Sequence, residues 1–233
     1  MVALAAAILV LAPLPRQSTL KFSGYEWNVR PSGTGGPGPN EWAPANVWLD
    51  SRGFLHLRIA KHGDKWRCSE VSTVEKFGFG TYEFEIEGPI DRLDPNIVLG
   101  LFTYPTADIG KDGTHEIDIE FSRWGIPTAK IGNYGVWPVD SSLKFTGEQF
   151  EFTLPNKISI QRFTRSDREI AFHTLDGTGK EIKSWRFKPE DASARVSAKA
   201  MRVHMNLWLF EGRPPVDEKE VEIVVRKFSF RKS

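Results

Sequence analysis

The stretch "HEIDIEF", residues 115–121, decides the fold. Polar and apolar residues alternate through it without a break. Glu116, Asp118 and Glu120 fall on one parity, and Ile117, Ile119 and Phe121 on the other. Period-two alternation with β-branched and aromatic residues marks a strand with one buried face, because successive side chains in a strand point to opposite sides of the sheet. The isoleucines and Phe121 are therefore expected to anchor the strand in a core, leaving the three carboxylates to line the opposite surface.

Working outward, the same alternation recurs in "FLHLRIA" (54–60), "TYEFEIE" (81–87), "ISIQRF" (158–163), "EIAFHTL" (169–175), "RVHMNLWLF" (202–210) and "EVEIVVRKFSF" (220–230). "TRSDR" (164–168) reads as a hairpin turn and Asp176-Gly177 as a second turn signal. "PSGTGGPGPNEWAP" (31–44), dense in Gly and Pro, reads as a long loop. Only "PEDASARVSAKA" (189–200) offers a short helical turn. Many short strands separated by Gly, Pro and Asp turns predict an all-β chain, a sandwich or barrel. No composition shift or internal repeat divides it, so residues 19–233 are expected to form one domain.

The composition narrows the function. With 31 basic and 30 acidic residues the net charge is +1, so no broad field draws the chain to nucleic acid or an anionic membrane, and a neutral partner fits better. Eight Trp and sixteen Phe supply core filling and also flat faces on which sugar rings stack. The single cysteine, Cys68, excludes an internal disulfide and is expected to be a small packed residue. Val2 to Ala12 is a continuous apolar run, shorter than the ~20 residues that span a bilayer. It resembles the apolar core of a secretory signal, although no Lys or Arg precedes it. Residues 1–18 are therefore expected to be a signal peptide or a disordered leader, and the protein secreted or periplasmic.

The chemistry is expected in the carboxylates. On a straight strand the Cα atoms of Glu116 and Glu120 stand roughly 13 Å apart, and side chains leaning toward a common point come much closer. Glycosidases that retain configuration place two carboxyls about 5–5.5 Å apart, and inverting ones about 6.5–9.5 Å. The spacing does not choose between them. Three adjacent carboxylates cannot all ionise normally, and their repulsion raises at least one pKa, which sets a protonated acid beside an ionised nucleophile. By periodicity alone, Glu83, Glu85 and Glu87 in "TYEFEIE" form an equal candidate row. A metal site is a weaker reading, since acids on one straight strand do not wrap a cation. No Gly-x-Ser-x-Gly elbow supports serine hydrolysis.

"EIDIEF" resembles the active-site strand of glycoside hydrolase family 16, the lichenases and their relatives. Three further stretches extend the resemblance: "SEVSTVEKFGFGTYEFEIEGP" (69–89), "KIGNYG" (130–135) and "MNLWLFEG" (205–212). The resemblance implies a jelly-roll β-sandwich of two antiparallel sheets, with a sugar-binding cleft on a concave sheet. It makes Glu116 the nucleophile, Glu120 the acid/base and Asp118 the helper that tunes the pair. It makes Glu70, Asn133, Tyr134, Trp137, His204, Asn206 and Trp208 the substrate contacts, and turns the Glu83 row into a non-catalytic face. Thr114 and His115 stand where lichenases often carry a Trp, and Leu154 where the family usually has another. These departures affect the substrate rather than the acids.

The resemblance thus implies a monomeric, retaining, endo-acting hydrolase. Its substrate would be a neutral β-linked glucan, β-1,3 or mixed β-1,3-1,4. It implies no required cofactor, and nothing in the sequence points to a structural Ca²⁺. A carbohydrate-binding protein without catalysis, a transglycosylase and a galactan hydrolase remain alternatives on the same fold.

Overall fold

In the computed structural model, which describes residues 18–233, nearly all regular structure is strand. The leader expected at 1–18 lies, but for Ser18, outside the described residues. In chain order the strands are β1 (Thr19–Phe22), β2 (Tyr25–Val29), β3 (Gly33–Gly35), β4 (Asn40–Trp42), β5 (Val47–Leu49), β6 (Leu55–His62), β7 (Lys65–Arg67), β8 (Ser69–Thr73) and β9 (Gly80–Glu87). They continue as β10 (Ile97–Tyr104), β11 (Ile117–Phe121), β12 (Gly132–Val136), β13 (Thr146–Phe150), β14 (Ile158–Arg165), β15 (Ile170–Asp176), β16 (Glu181–Phe187), β17 (Arg202–Leu209) and β18 (Val221–Lys232). The helical turn expected near 189–200 is α1 (Ala192–Arg195).

Two large antiparallel sheets stack. The first has the order β1-β2-β8-β17-β10-β11-β12-β13. The second has the order β16-β15-β14-β9-β18-β6-β5, with β7 paired to β6. Consecutive strands pair in β10-β11-β12-β13 and β14-β15-β16, while β8-β17, β17-β10, β9-β18 and β18-β6 join distant parts of the chain, so the sheets interleave as the expected jelly-roll β-sandwich. All seven alternating segments became strands, and all but β14 bury a mainly apolar face between the sheets; β14 instead buries Ser159, Gln161, Phe163 and Arg165 and turns Ile158 and Ile160 outward. Ile117, Ile119 and Phe121 are buried on that side. They meet the inner face of the second sheet, where Tyr82 stacks on Phe163 at 4.4 Å between ring centroids. Burying a side chain such as Ile119 contributes about 1.5–3 kcal/mol.

The stretch 31–44 holds more order than a loop. β3 and β4 pair as a hairpin, with Gly33 opposite Trp42. The Trp42 indole is buried, and its Nε1 donates to the Gly35 carbonyl at 2.9 Å, so one apolar side chain anchors a segment otherwise built of Gly and Pro. Behind it, Cys68 is the expected packed residue. Its Sγ donates to Asn40 Oδ1 at 3.3 Å, and burial pushes the thiol up to about 12.

The rival acidic row on β9 faces out from the second sheet. Arg162 on β14 donates through Nε to Glu83 at 2.7 Å, and Arg226 on β18 pairs with Glu85 at 3.2 Å. These are partly exposed ion pairs of a solvated face, which contribute little to stability.

Candidate active site

β11 lies inside the first sheet, between β10 and β12. Its outward residues therefore sit on rows that cross the sheet from strand to strand. Through Glu120 the row reads Gln149, Asn133, Glu120, Gly100, Asn206, Glu70. Through Asp118 it reads Gly147, Gly135, Asp118, Phe102, His204, Ser72. The carboxylates thus have glycine, amide or aromatic neighbours. Among the described residues, no Lys, Arg or His forms an ion pair with any of the three.

That lack of counter-charge sets their electrostatics. Burial and the nearby Glu120 charge push Glu116 up to about 8. Asp118, at 4% exposure, is pushed up by burial and by the Glu116 charge, while a hydrogen bond from the Trp137 side chain pulls the other way. Burial and the Asp118 charge push Glu120 up as well. Glu116 and Asp118 also share a hydrogen bond, so protons on this row belong to the group rather than to single residues.

The row opens into a cleft of about 380 Å³, lined by Glu116, Glu120, Glu70, His204, Asn206 and Trp208 among others. A second hollow of about 440 Å³ lies on the far side of Glu120, against Trp124, Asn133, Phe145 and Gln149. Glu120 lines both, so the trough continues to either side of the carboxylates.

Most of the expected contacts come together here. Glu70 is held in place from two sides. His204 Nδ1 lies 3.0 Å from Glu70 Oε1, and Arg30 pairs with Oε2. Burial pushes the Glu70 carboxyl up, but the His204 hydrogen bond and charge, with the Arg30 charge, outweigh it and hold it below its ordinary value. The His204 ring stacks on Phe102 at 5.1 Å. Asn206 is buried beside Gly100, and its Oδ1, turned toward that glycine, has no hydrogen-bond partner. Trp208 lines the main cleft, while Trp137, which lines neither hollow, packs on Phe145 at 4.9 Å. Asn133 faces the second hollow, but its Oδ1 already accepts from Trp124 Nε1 at 3.1 Å and Gln149 Nε2 at 2.8 Å.

Tyr134 is a correction. It pairs with Ile119 on the inward face, is almost fully buried, and stacks on Phe172 at 4.9 Å. Its hydroxyl bonds Thr174 at 2.8 Å in the core, so the ring cannot reach a sugar in the cleft. Alternation already held this signal, since adjacent residues Asn133 and Tyr134 cannot both face one side of a sheet.

Sequence reasoning also missed Arg30, Phe102, Tyr104 and Asp112 in the main cleft, and Trp124, Phe145 and Gln149 beyond Glu120. Phe102 and Tyr104 share the parity of Gly100, so the alternation of "GLFTY" was a usable signal. Arg30 and Phe145 lie outside strands, where alternation gives none. Among the described residues no cluster of His, Cys, Asp or Glu is arranged to hold a metal, and no helix is long and apolar enough to cross a membrane.

Comparison with solved structures adds the fold. A β-glucanase of Bacillus licheniformis superposes with a TM-score of 0.65 at 20% identity, over 89% of this chain and 92% of that one. A laminarinase from Flavobacterium sp. UMI-01 gives 0.67 at 14% identity, over 88% and 93%. A glycoside hydrolase family 16 endo-glucanase from Bacteroides ovatus gives 0.64 at 11% identity, over 88% and 94%. The chain shares their fold. At these identities the likeness is one of architecture, and no family model and no curated protein sequence matches the chain.

Proposed function

We propose that the chain is a retaining endo-glycosidase of the family 16 type that cleaves β-1,3 or mixed β-1,3-1,4 glucan by double displacement. The observation that carries this reading is the carboxylate row without counter-charges along the floor of an open trough, Asp118 buried and Glu116 and Glu120 half-buried. A protein that only bound sugar would gain nothing from three desolvated acids lacking counter-charges, which are costly to ionise.

In this reading the ionised form of Glu116 attacks the anomeric carbon, the row's shared protons lying on Asp118 and Glu120 in the reactive state. The glycosidic C–O bond breaks as Glu120, in its protonated form, which burial and the Asp118 charge favour, delivers its proton to the leaving oxygen. Glu120, now ionised, then takes a proton from water. That water attacks the anomeric carbon, breaks its bond to Glu116, and regenerates both carboxyls. The hydrogen bond from Asp118 to Glu116 steadies the nucleophile's charge. Trp208 and Trp137 offer stacking faces, while Glu70, Asn206 and His204 meet sugar hydroxyls. The β-glucanases on the same fold favour a β-glucan as the polymer.

The test is a set of variants assayed on a panel of β-glucans and galactans. Glu116→Gln is expected to reduce turnover roughly 10⁴-fold or more. Azide should restore activity to Glu116→Ala, yielding a glycosyl azide of inverted configuration. Glu120→Ala with azide should give the retained product, formed by attack on the covalent intermediate. Glu85→Gln, on the outer face of the other sheet, should leave activity near native. Near-native turnover in Glu116→Gln, or equal sensitivity at Glu85, would sink the assignment.

A further inference from the structure

His115 stands immediately before Glu116 and has a backbone φ of 65°, in the left-handed region that residues with a Cβ rarely adopt. A conformation of that kind persists only where its surroundings enforce it. Here they do so on every side. The His115 N–H donates to the Pro138 carbonyl at 3.0 Å, and the Glu116 carbonyl accepts from the Trp137 N–H at 2.9 Å, so the dipeptide is tied to the segment following β12. The ring is buried, and its Nδ1 lies 2.9 Å from Ser197 Oγ, on the segment following α1. Ser197 is itself buried, and its Oγ also accepts from the Lys199 N–H at 3.2 Å. On the ring's other side is Gly110, where a Cβ would come within 2.6 Å of His115 Cδ2. Thr114 Oγ1 donates to the Lys111 carbonyl at 2.7 Å and closes the loop that carries this glycine. Burial, with the Lys199 and Arg165 charges, lowers the His115 pKa and favours the neutral ring that this bond geometry suits.

We propose that His115 is a positioning residue for Glu116. Its ring, clamped between Gly110 and Ser197, holds the left-handed turn that leads into β11 and sets the direction in which the Glu116 carboxyl enters the row. The alternation of the sequence extends to 115, yet strand pairing begins at Ile117. Without the clamp, the chain at 115 can relax to ordinary strand geometry, and the Glu116 side chain changes direction with it. The effect on turnover rests on the catalytic reading of Glu116. The effect on the position and proton affinity of Glu116 does not.

The experiment therefore reads both. Carboxyl carbon NMR would follow the titration of Glu116, its signal assigned by its loss in Glu116→Gln, in wild type, His115→Gly, His115→Asn and Ser197→Ala. His115→Gly permits the same φ but removes the ring. His115→Asn tolerates φ above zero and keeps a polar side chain to meet Ser197. Expected in His115→Gly is a fall of about one pH unit in the Glu116 midpoint as the carboxyl leaves its desolvated site. The same variant should lose roughly 10- to 100-fold in kcat with KM little changed, the pattern of a misaimed nucleophile. Ser197→Ala should move both readouts in the same direction by less, and His115→Asn should restore most of each. An unchanged Glu116 midpoint in a folded His115→Gly would overturn the proposal, as would equal loss in His115→Asn and His115→Gly. A shifted midpoint in a protein without turnover on any glycan would leave the positioning role standing and remove the catalytic reading instead.

Discussion

Glu116 shows how much one carboxyl owes to its surroundings. Its ordinary pKa is 4.5, and burial with the Glu120 charge carries it to about 8. Between those values the folded protein keeps a proton that the unfolded chain releases. Stability therefore falls as pH rises through the window and levels off above the folded value. Glu116→Gln removes this contribution while keeping the side chain's size. Its unfolding midpoint should fall less than that of wild type between about pH 5 and about pH 8, as read by thermal denaturation. An equal fall in both proteins would mean that Glu116 is not a main holder of the proton. The outcome has a functional corollary: the site that suits acid/base work is one the fold carries at some cost, and removing the acid should stabilise the protein while ending turnover.

The strands explain why the two acidic rows differ. "TYEFEIE" and "HEIDIEF" have the same period and the same number of acids, and both became strands with the acids on the outward side. Their neighbours separate them. β9 runs beside β14 and β18, which bring Arg162 and Arg226 to its glutamates. β11 runs beside β10 and β12, which bring Gly100, Phe102, Asn133 and Gly135. One set of acids is neutralised in solvent, and the other is desolvated without partners. Gly100 matters most among these neighbours, because a Cβ there would lie 2.4 Å from Asn206 Oδ1 and 3.3 Å from Phe102 Cδ1. Gly100→Ala should therefore push Asn206 and Phe102 out of place beside Glu120. Overpacking of this kind costs about 1–3 kcal/mol, so a lower unfolding midpoint is expected together with a loss of at least roughly tenfold in kcat/KM. Native activity in the folded variant would show that Asn206 is not needed at the cleft floor.

Across the whole sandwich, the cleft and the second hollow lie on opposite sides of Glu120 and form a trough with room for a polymer on both flanks of the carboxylates. In the proposed reading, a polymer bound in that way would be cut at internal bonds. On mixed-linkage β-glucan the solution viscosity should drop well before reducing ends accumulate. A release of reducing sugar that keeps pace with the viscosity loss would point to cutting at chain ends. The sandwich itself was legible in the sequence, because side-chain parity in a strand is a local property and most alternating runs declare which face they bury; β14, which buries Ser159, Gln161 and Arg165 beside Phe163, does not. That parity gave the inward side of Ile117, Ile119 and Phe121, and the shared face of His204, Asn206 and Trp208. Read strictly, it would also have placed Tyr134 in the core. It could not say which strands become neighbours, since β9 meets β18 and β10 meets β17 across about a hundred residues of chain or more. The choice between the two acidic rows, the glycines that give the acids room, the Arg30–Glu70–His204 group and the left-handed turn at His115 all arise from that pairing. Each depends on charges, volumes and hydrogen bonds supplied from other strands and loops, some near in sequence, such as Gly100, Gly110 and Gly135, and some far, such as Arg30, Ser197 and Arg226, and only the packed sheets bring them within reach.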